Sequence, residues 1–192
     1  MMIFELILAF IAGVLVKIVD WLDDEKKSKH WIKYVIAILY GLFIGYIIGA
    51  TSFSVIFIAA ILAQVFARKV DTPAHEVGFV TSVIAALFFN VPVIDPLVLI
   101  YFMVFAILDE FQFVGKWRKI NEYRPFLKIA AFAMLLTGRF DYFLGIIAFD
   151  IGYEGFKFCA VPIINQKCDS VRNKQKKNVL KHRESHYNGS MI

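Results

Sequence analysis

Long apolar runs alternate along the chain with short polar breaks. The apolar segments cover roughly residues 3–19, 32–50, 53–67, 77–92, 97–114, 126–138 and 141–164. Runs of this continuity predict helices, because a helix satisfies its own backbone hydrogen bonds in an apolar medium. A full bilayer crossing takes about 20 residues. Several segments are shorter, 126–138 most clearly, so a re-entrant path or a locally thin bilayer enters the expectation.

The polar breaks are not equivalent. Lys17, Lys26, Lys27, Lys29 and Lys33 surround the first break. Arg68 and Lys69 follow the third segment. Lys116, Arg118, Lys119, Arg124 and Lys128 follow the fifth, and the basic run from Lys157 to Arg183 closes the chain. If the segments alternate in direction, all of these fall on one side and only Arg139 falls on the other. The positive-inside rule makes the rich side cytoplasmic. The predicted architecture is all-α: a polytopic membrane bundle of about seven transmembrane or partly re-entrant segments, N-terminus outside and C-terminus inside, in the cell membrane. Residues 1–164 form the helical domain. Residues 165–192 are a basic cytoplasmic tail, expected to be disordered.

Composition agrees. Hydrophobic residues make up 59% of the 192 positions, with 20 phenylalanines, against about 45–50% in soluble domains. This excludes extended disorder, collagen, coiled coils and disulfide scaffolds. Cys159 and Cys168 make no framework. Glu5 stands where a signal peptide would carry positive charge. The net charge of +5 suits anionic lipid as a partner; no fold supports nucleic-acid binding. Gly41, Gly45 and Gly49 form a small-residue stripe on the second segment. Such a stripe lets backbones approach closely, either inside one bundle or between two copies of a homo-oligomer; packing inside the bundle is the expected use.

Candidate chemistry gathers at the predicted cytoplasmic edge. Asp20, Asp23, Asp24 and Glu25 follow the first segment, Asp71, His75 and Glu76 the third, and Asp109 and Glu110 the fifth. Pro73 predicts a helix start there, with Asp71 or Thr72 as its cap. Asp71, Asp109 and Glu110 are candidate ligands for Mg²⁺, which takes oxygen donors. Arg118, Lys119 and Arg124 are candidate phosphate binders, and His75 a candidate base. Loop charges also cap helices and pair with one another, which is the expected role of Asp23, Asp24 and Glu25. In the last segment, Asp150 lies about 14 Å from the outer end at 1.5 Å per residue, near the bilayer centre. Glu154 and Lys157 share its face. A charge at that depth costs about 2.5–3.5 kcal/mol, so Asp150 and Glu154 are candidate functional carboxylates; the alternative is a structural ion pair. Arg139 and Asp141 close a turn at the outer surface if 126–138 crosses, and are a site candidate within the membrane if it is re-entrant.

Two functions from different classes fit these residues. One is a membrane enzyme acting on a phosphorylated lipid at the cytoplasmic face, with a divalent metal. The other is a transporter or channel using Asp150 and Glu154. A non-catalytic scaffold subunit is a third.

Overall fold

Apolar helices of this kind meet through whatever small residues they carry, and glycine and alanine dictate the packing here. The structure, a computed structural model, describes residues 2–24, 31–68, 70, 72–89, 92–111, 125–160 and 162. Among them are seven α-helices and no strand: α1 (Met2–Asp24), α2 (Ile32–Ala50), α3 (Ser54–Phe66), α4 (Pro73–Phe88), α5 (Pro96–Glu110), α6 (Pro125–Ala133) and α7 (Phe140–Gly155). Each lies within or across one predicted apolar segment. The chain divides into two compact units, Met1–Gly155 and Phe156–Ile192. Of the second unit, Pro162 and a π-helical turn at Phe156–Ala160 are described; the predicted tail, 165–192, lies outside the described residues.

Local signals explain several boundaries. Pro73 and Pro96 occupy first-turn positions of α4 and α5, where a missing N–H costs nothing. Thr72 caps α4 by accepting from His75 N–H at 3.4 Å. Asp95 caps α5 by accepting from Leu97 N–H at 2.9 Å. Helix α6 tightens into a 3₁₀ turn, Met134–Thr137, and stops at Gly138, whose φ is +80°. Helix α3 ends on Arg68, a non-glycine residue at φ +53°.

Neighbouring side chains set the helix directions. Helices α2 and α4 run parallel and pack most extensively. A Cβ on Gly41 would stand 2.5 Å from the Gly78 carbonyl oxygen, one on Gly45 2.6 Å from the Ser82 carbonyl oxygen, and one on Gly49 2.9 Å from the Ala86 carbonyl oxygen. The glycine stripe therefore serves packing of α4 against α2 within one chain. Helices α1 and α7 cross at Gly13 and Gly152, where an added Cβ would overlap the carbonyls of Phe149 and Phe10. Gly145 seats the Phe53 ring, and Phe57 meets Phe149 edge-on. Helix α5 meets α3 and α6, and Tyr101 donates to the Ala130 carbonyl at 3.0 Å.

The interior holds many small residues, among them Ala9, Ala12, Ala37, Ala59, Ala63 and Ala131. Large apolar side chains face outward: Ile84, Leu87 and Phe88 on α4 are 64%, 70% and 81% exposed. Helices α1 and α2 are long and apolar enough to cross a membrane, and less than half of either crossing window is buried. That degree of exposure is unlike the core helix of a soluble fold. The other five helices, at 9–16 residues, fall short of the length of a full crossing.

Candidate functional site

The helix ends bring polar side chains together in three places. The richest lies where the last turns of α1 meet the first turns of α2 and α4. Asp20 Oδ1 is 2.9 Å from His75 Nε2. On the other side of the imidazole, the Tyr40 hydroxyl is 3.2 Å from Nδ1. Asp20 Oδ2 accepts from the Tyr153 hydroxyl of α7 at 2.5 Å and from Lys17 Nζ at 3.4 Å. Lys17 also sits 5.0 Å from the Tyr153 ring centroid, a cation–π contact. One turn further along α1, Asp23 pairs with Lys33 and accepts from the Thr72 hydroxyl at 2.9 Å. Two aspartates, two lysines, two tyrosines, a threonine and a histidine from four helices and one cap thus form one connected cluster.

The reason they meet is local. Lys17, Asp20 and Asp23 recur every third residue at the end of α1, which places them along one strip of the helix. On α4, His75 and Gly78 are likewise three apart. A side chain at Gly78 would overlap the Tyr40 ring and hydroxyl, so the missing side chain is what admits Tyr40. His75 side-chain exposure is 21% and that of Asp20 is 19%, so the dyad is part-sheltered.

The second place is the meeting of α5, α6 and α7. Asp109, 4% exposed, accepts at Oδ1 from Phe126 N–H at 2.9 Å and at Oδ2 from Leu127 N–H at 2.7 Å. It satisfies two amides that the first turn of α6 would otherwise leave without intrahelical partners. Both oxygens expected to ligate metal are therefore engaged with backbone. Among the described residues no three His, Cys, Asp or Glu side chains gather as a metal site. Asp150 pairs with Lys128 of α6. Because α7 stops at Gly155 and Lys128 lies in the first turn of α6, Asp150 stands nearer the Asp109 end than the depth count from the opposite end implies. Glu154 lies one turn beyond Asp150, and Glu110 follows Asp109 at the end of α5.

The third place is the opposite end. Arg139 holds Asp141 through two hydrogen bonds of 3.1 and 3.0 Å, donates to the Ser52 carbonyl at 3.1 Å and covers the Tyr142 ring. The bonded carboxylate raises the Arg139 pKa further. This clasp closes the α6–α7 turn onto the α2–α3 turn. At the same end Glu5, in the first turn of α1, is buried, where the helix N-terminus favours negative charge.

Of the residues singled out from sequence, His75 enters the first cluster, and Asp109, Asp150 and Glu154 belong to the α5–α6–α7 side with Glu110. Asp71, Arg118, Lys119 and Arg124 lie outside the described residues. The sequence reading missed Tyr40 and Tyr153; the signal for Tyr40 was a glycine at 78 with no turn to explain it. No family model matches the chain, and neither a curated protein nor a solved structure matches it.

Proposed function

We propose that this chain is a multi-spanning membrane protein, with its N-terminus outside and its C-terminus in the cytoplasm, that performs acid–base chemistry on a phosphorylated lipid at the cytoplasmic face. The observation that carries the reading is His75 held between the Asp20 carboxylate and the Tyr40 hydroxyl. A carboxylate behind an imidazole orients it and balances the charge it gains on taking a proton. Lys17 and Lys33 beside the dyad supply cations for a phosphate. Lys17 and Lys33 lie at this end, and the sequence assigns most other basic residues to breaks expected on the same side, which supports its assignment to the cytoplasm. The exposed apolar surfaces of the helices support a lipid environment. In this reading the chemistry rests on His75 and Asp20. Asp71, Arg118, Lys119 and Arg124 remain proposed contributors of metal or phosphate contacts, and Asp109 acts by fixing α6.

The test is turnover of a lipid panel in nanodiscs: phosphatidic acid, a polyprenyl phosphate and a polyprenyl diphosphate. His75→Gln is expected to lower turnover by about 10²–10⁴-fold, the usual contribution of a general acid–base group. Asp95→Asn, at the far end, retains it. A panel left untouched by the parent protein, or turned over equally by His75→Gln, overturns the reading.

A second reading is favoured by the Lys128–Asp150 pair, a contact of opposite charge types between two apolar helices. It makes the protein a proton- or ion-coupled transporter. Proteoliposome flux that disappears in Asp150→Asn and persists in His75→Gln selects it over the enzyme.

A further inference from the structure

We infer that Tyr40 is the positioning residue that engages Nδ1, the nitrogen of His75 that Asp20 leaves basic, as one end of a hydrogen-bonded train, Tyr153–Asp20–His75–Tyr40, drawn from four helices. This deepens the acid–base reading and rests on it.

The wiring follows from donor and acceptor capacity. An ionised carboxylate only accepts. Asp20 Oδ1 lies 2.9 Å from Nε2, so the hydrogen of the neutral ring belongs on Nε2. The other nitrogen, Nδ1, is then a lone pair. Tyr40, 3.2 Å from Nδ1, must donate its phenolic hydrogen to it. Asp20 is itself held from behind, by the Tyr153 hydroxyl at 2.5 Å and Lys17 at 3.4 Å. Its carboxylate therefore cannot turn away from His75 without breaking those bonds.

The Gly78 notch is an independent observation. Helix α4 supplies both the histidine and, one turn on, the gap that seats the tyrosine against it. Any side chain at 78 would occupy the place of the Tyr40 ring. The pairing of Tyr40 with Nδ1 is thus built by two helices and is not a chance approach of a mobile side chain.

The train holds both protonation states of the base. A proton reaches Nδ1 through Tyr40: Nδ1 takes the phenolic hydrogen while the Tyr40 oxygen takes one from a substrate hydroxyl or a water, which leaves an oxyanion or hydroxide on that donor and makes both ring nitrogens donors. The Tyr40 oxygen then accepts from Nδ1–H, with its new hydrogen directed back toward the donor. Asp20, already facing Nε2–H, balances the imidazolium charge. No helix has to move, which is the condition for a site preorganised for charge development.

The experiment is nitrogen-15 NMR of the full chain in nanodiscs with labelled histidine. The four histidines are His30, His75, His182 and His186, and His75→Gln identifies the signals of interest. The expected result is a neutral ring with hydrogen on Nε2 and a hydrogen-bonded, unprotonated Nδ1. Tyr40→Phe, which keeps the ring in its notch, is expected to shift the Nδ1 signal and leave hydrogen on Nε2. Asp20→Asn is expected to mix the two tautomers. Hydrogen on Nδ1 in the neutral parent protein, or an Nδ1 signal unmoved by Tyr40→Phe, overturns the inference. The expected signals in a protein that turns over no lipid would leave the wiring standing and sink the enzyme reading. His75-dependent turnover with an unmoved Nδ1 would do the reverse.

Discussion

A single missing methyl group decides whether two helices of this chain can touch. At Gly13 and Gly152 the partner atom is a backbone carbonyl, which cannot swing aside as a side chain would. Alanine at either position is expected to destabilise the protein by about 1–3 kcal/mol, the usual cost of overpacking, read as a lower unfolding temperature in detergent. Gly155→Ala, with nothing within 4 Å of the new methyl, should leave that temperature unchanged or slightly raised. Asp109 matters in the opposite way, by what it supplies. Asp109→Ala removes both acceptors from the first turn of α6 and is expected to cost about 1–2 kcal/mol. Asp109→Asn keeps one acceptor and should fall between, as chemical unfolding of the three proteins would measure. At this scale the sequence was only partly legible. His75 stood out because a histidine beside a proline helix start is conspicuous. Tyr40 and Tyr153 did not, because a tyrosine in an apolar run looks the same whether it anchors at an interface or bonds to a half-buried histidine or aspartate. Asp109 was conspicuous for the wrong chemistry: a carboxylate at the end of an apolar run fits a metal ligand and a cap equally well until the partner backbone is placed.

At the scale of the element, hydropathy located all seven helices but misplaced several ends. The reason is physical: an apolar side chain is equally at home in the last turn of a helix and in the loop that covers it, so local signals set the boundary. Helix α4 starts at Pro73, four residues before its apolar run, because threonine and proline form a better start than the run itself. Helix α7 stops at Gly155, well before its run ends. The end of α3 offers a test. Arg68 holds a left-handed conformation, which costs a non-glycine residue about 1–2 kcal/mol. Glycine removes that cost and adds about 0.5–1 kcal/mol of backbone entropy to the unfolded chain. The first effect is the larger, so Arg68→Gly is expected to stabilise modestly, measured as a small rise in unfolding temperature. A fall would mean that the arginine side chain holds α3 by a contact worth more than the strain.

At the scale of the molecule, the described helices meet through small residues and expose large apolar side chains such as Ile84, Leu87 and Phe88, which water disfavours. Replacing a well-exposed residue of a soluble protein changes stability by only about ±0.5 kcal/mol. In a lipid-facing position an aspartate costs about 2.5–3.5 kcal/mol at the helix centre. Leu87→Asp and Ile84→Asp are therefore expected to reduce folded, membrane-extracted protein sharply; yields equal to the parent's would contradict a lipid-facing α4. The proposed orientation is open to labelling. With Cys159 and Cys168 replaced by serine, Thr137→Cys should react with an impermeant maleimide added to intact cells, and Arg68→Cys only after lysis. The reverse pattern would invert the topology. The tally of basic residues is what carries this proposed orientation, because charge placement reports on sidedness without reference to contacts. Which helices embrace was not readable, since seven apolar helices present many nearly equivalent faces and only the glycines distinguish them.

The bond from Asp109 to Phe126 and Leu127 has one more consequence. It joins positions 17 and 18 residues apart along the chain, so everything between them is a closed excursion whose two ends are fixed by α5 and α6. The entropy of closing such an excursion grows only with the logarithm of its length, about 0.6 kcal/mol for each doubling. Lengthening the chain between Asp109 and Phe126 therefore costs the folded state little, and a short peptide inserted between Arg118 and Lys119 is expected to leave the unfolding temperature of the helices nearly unchanged.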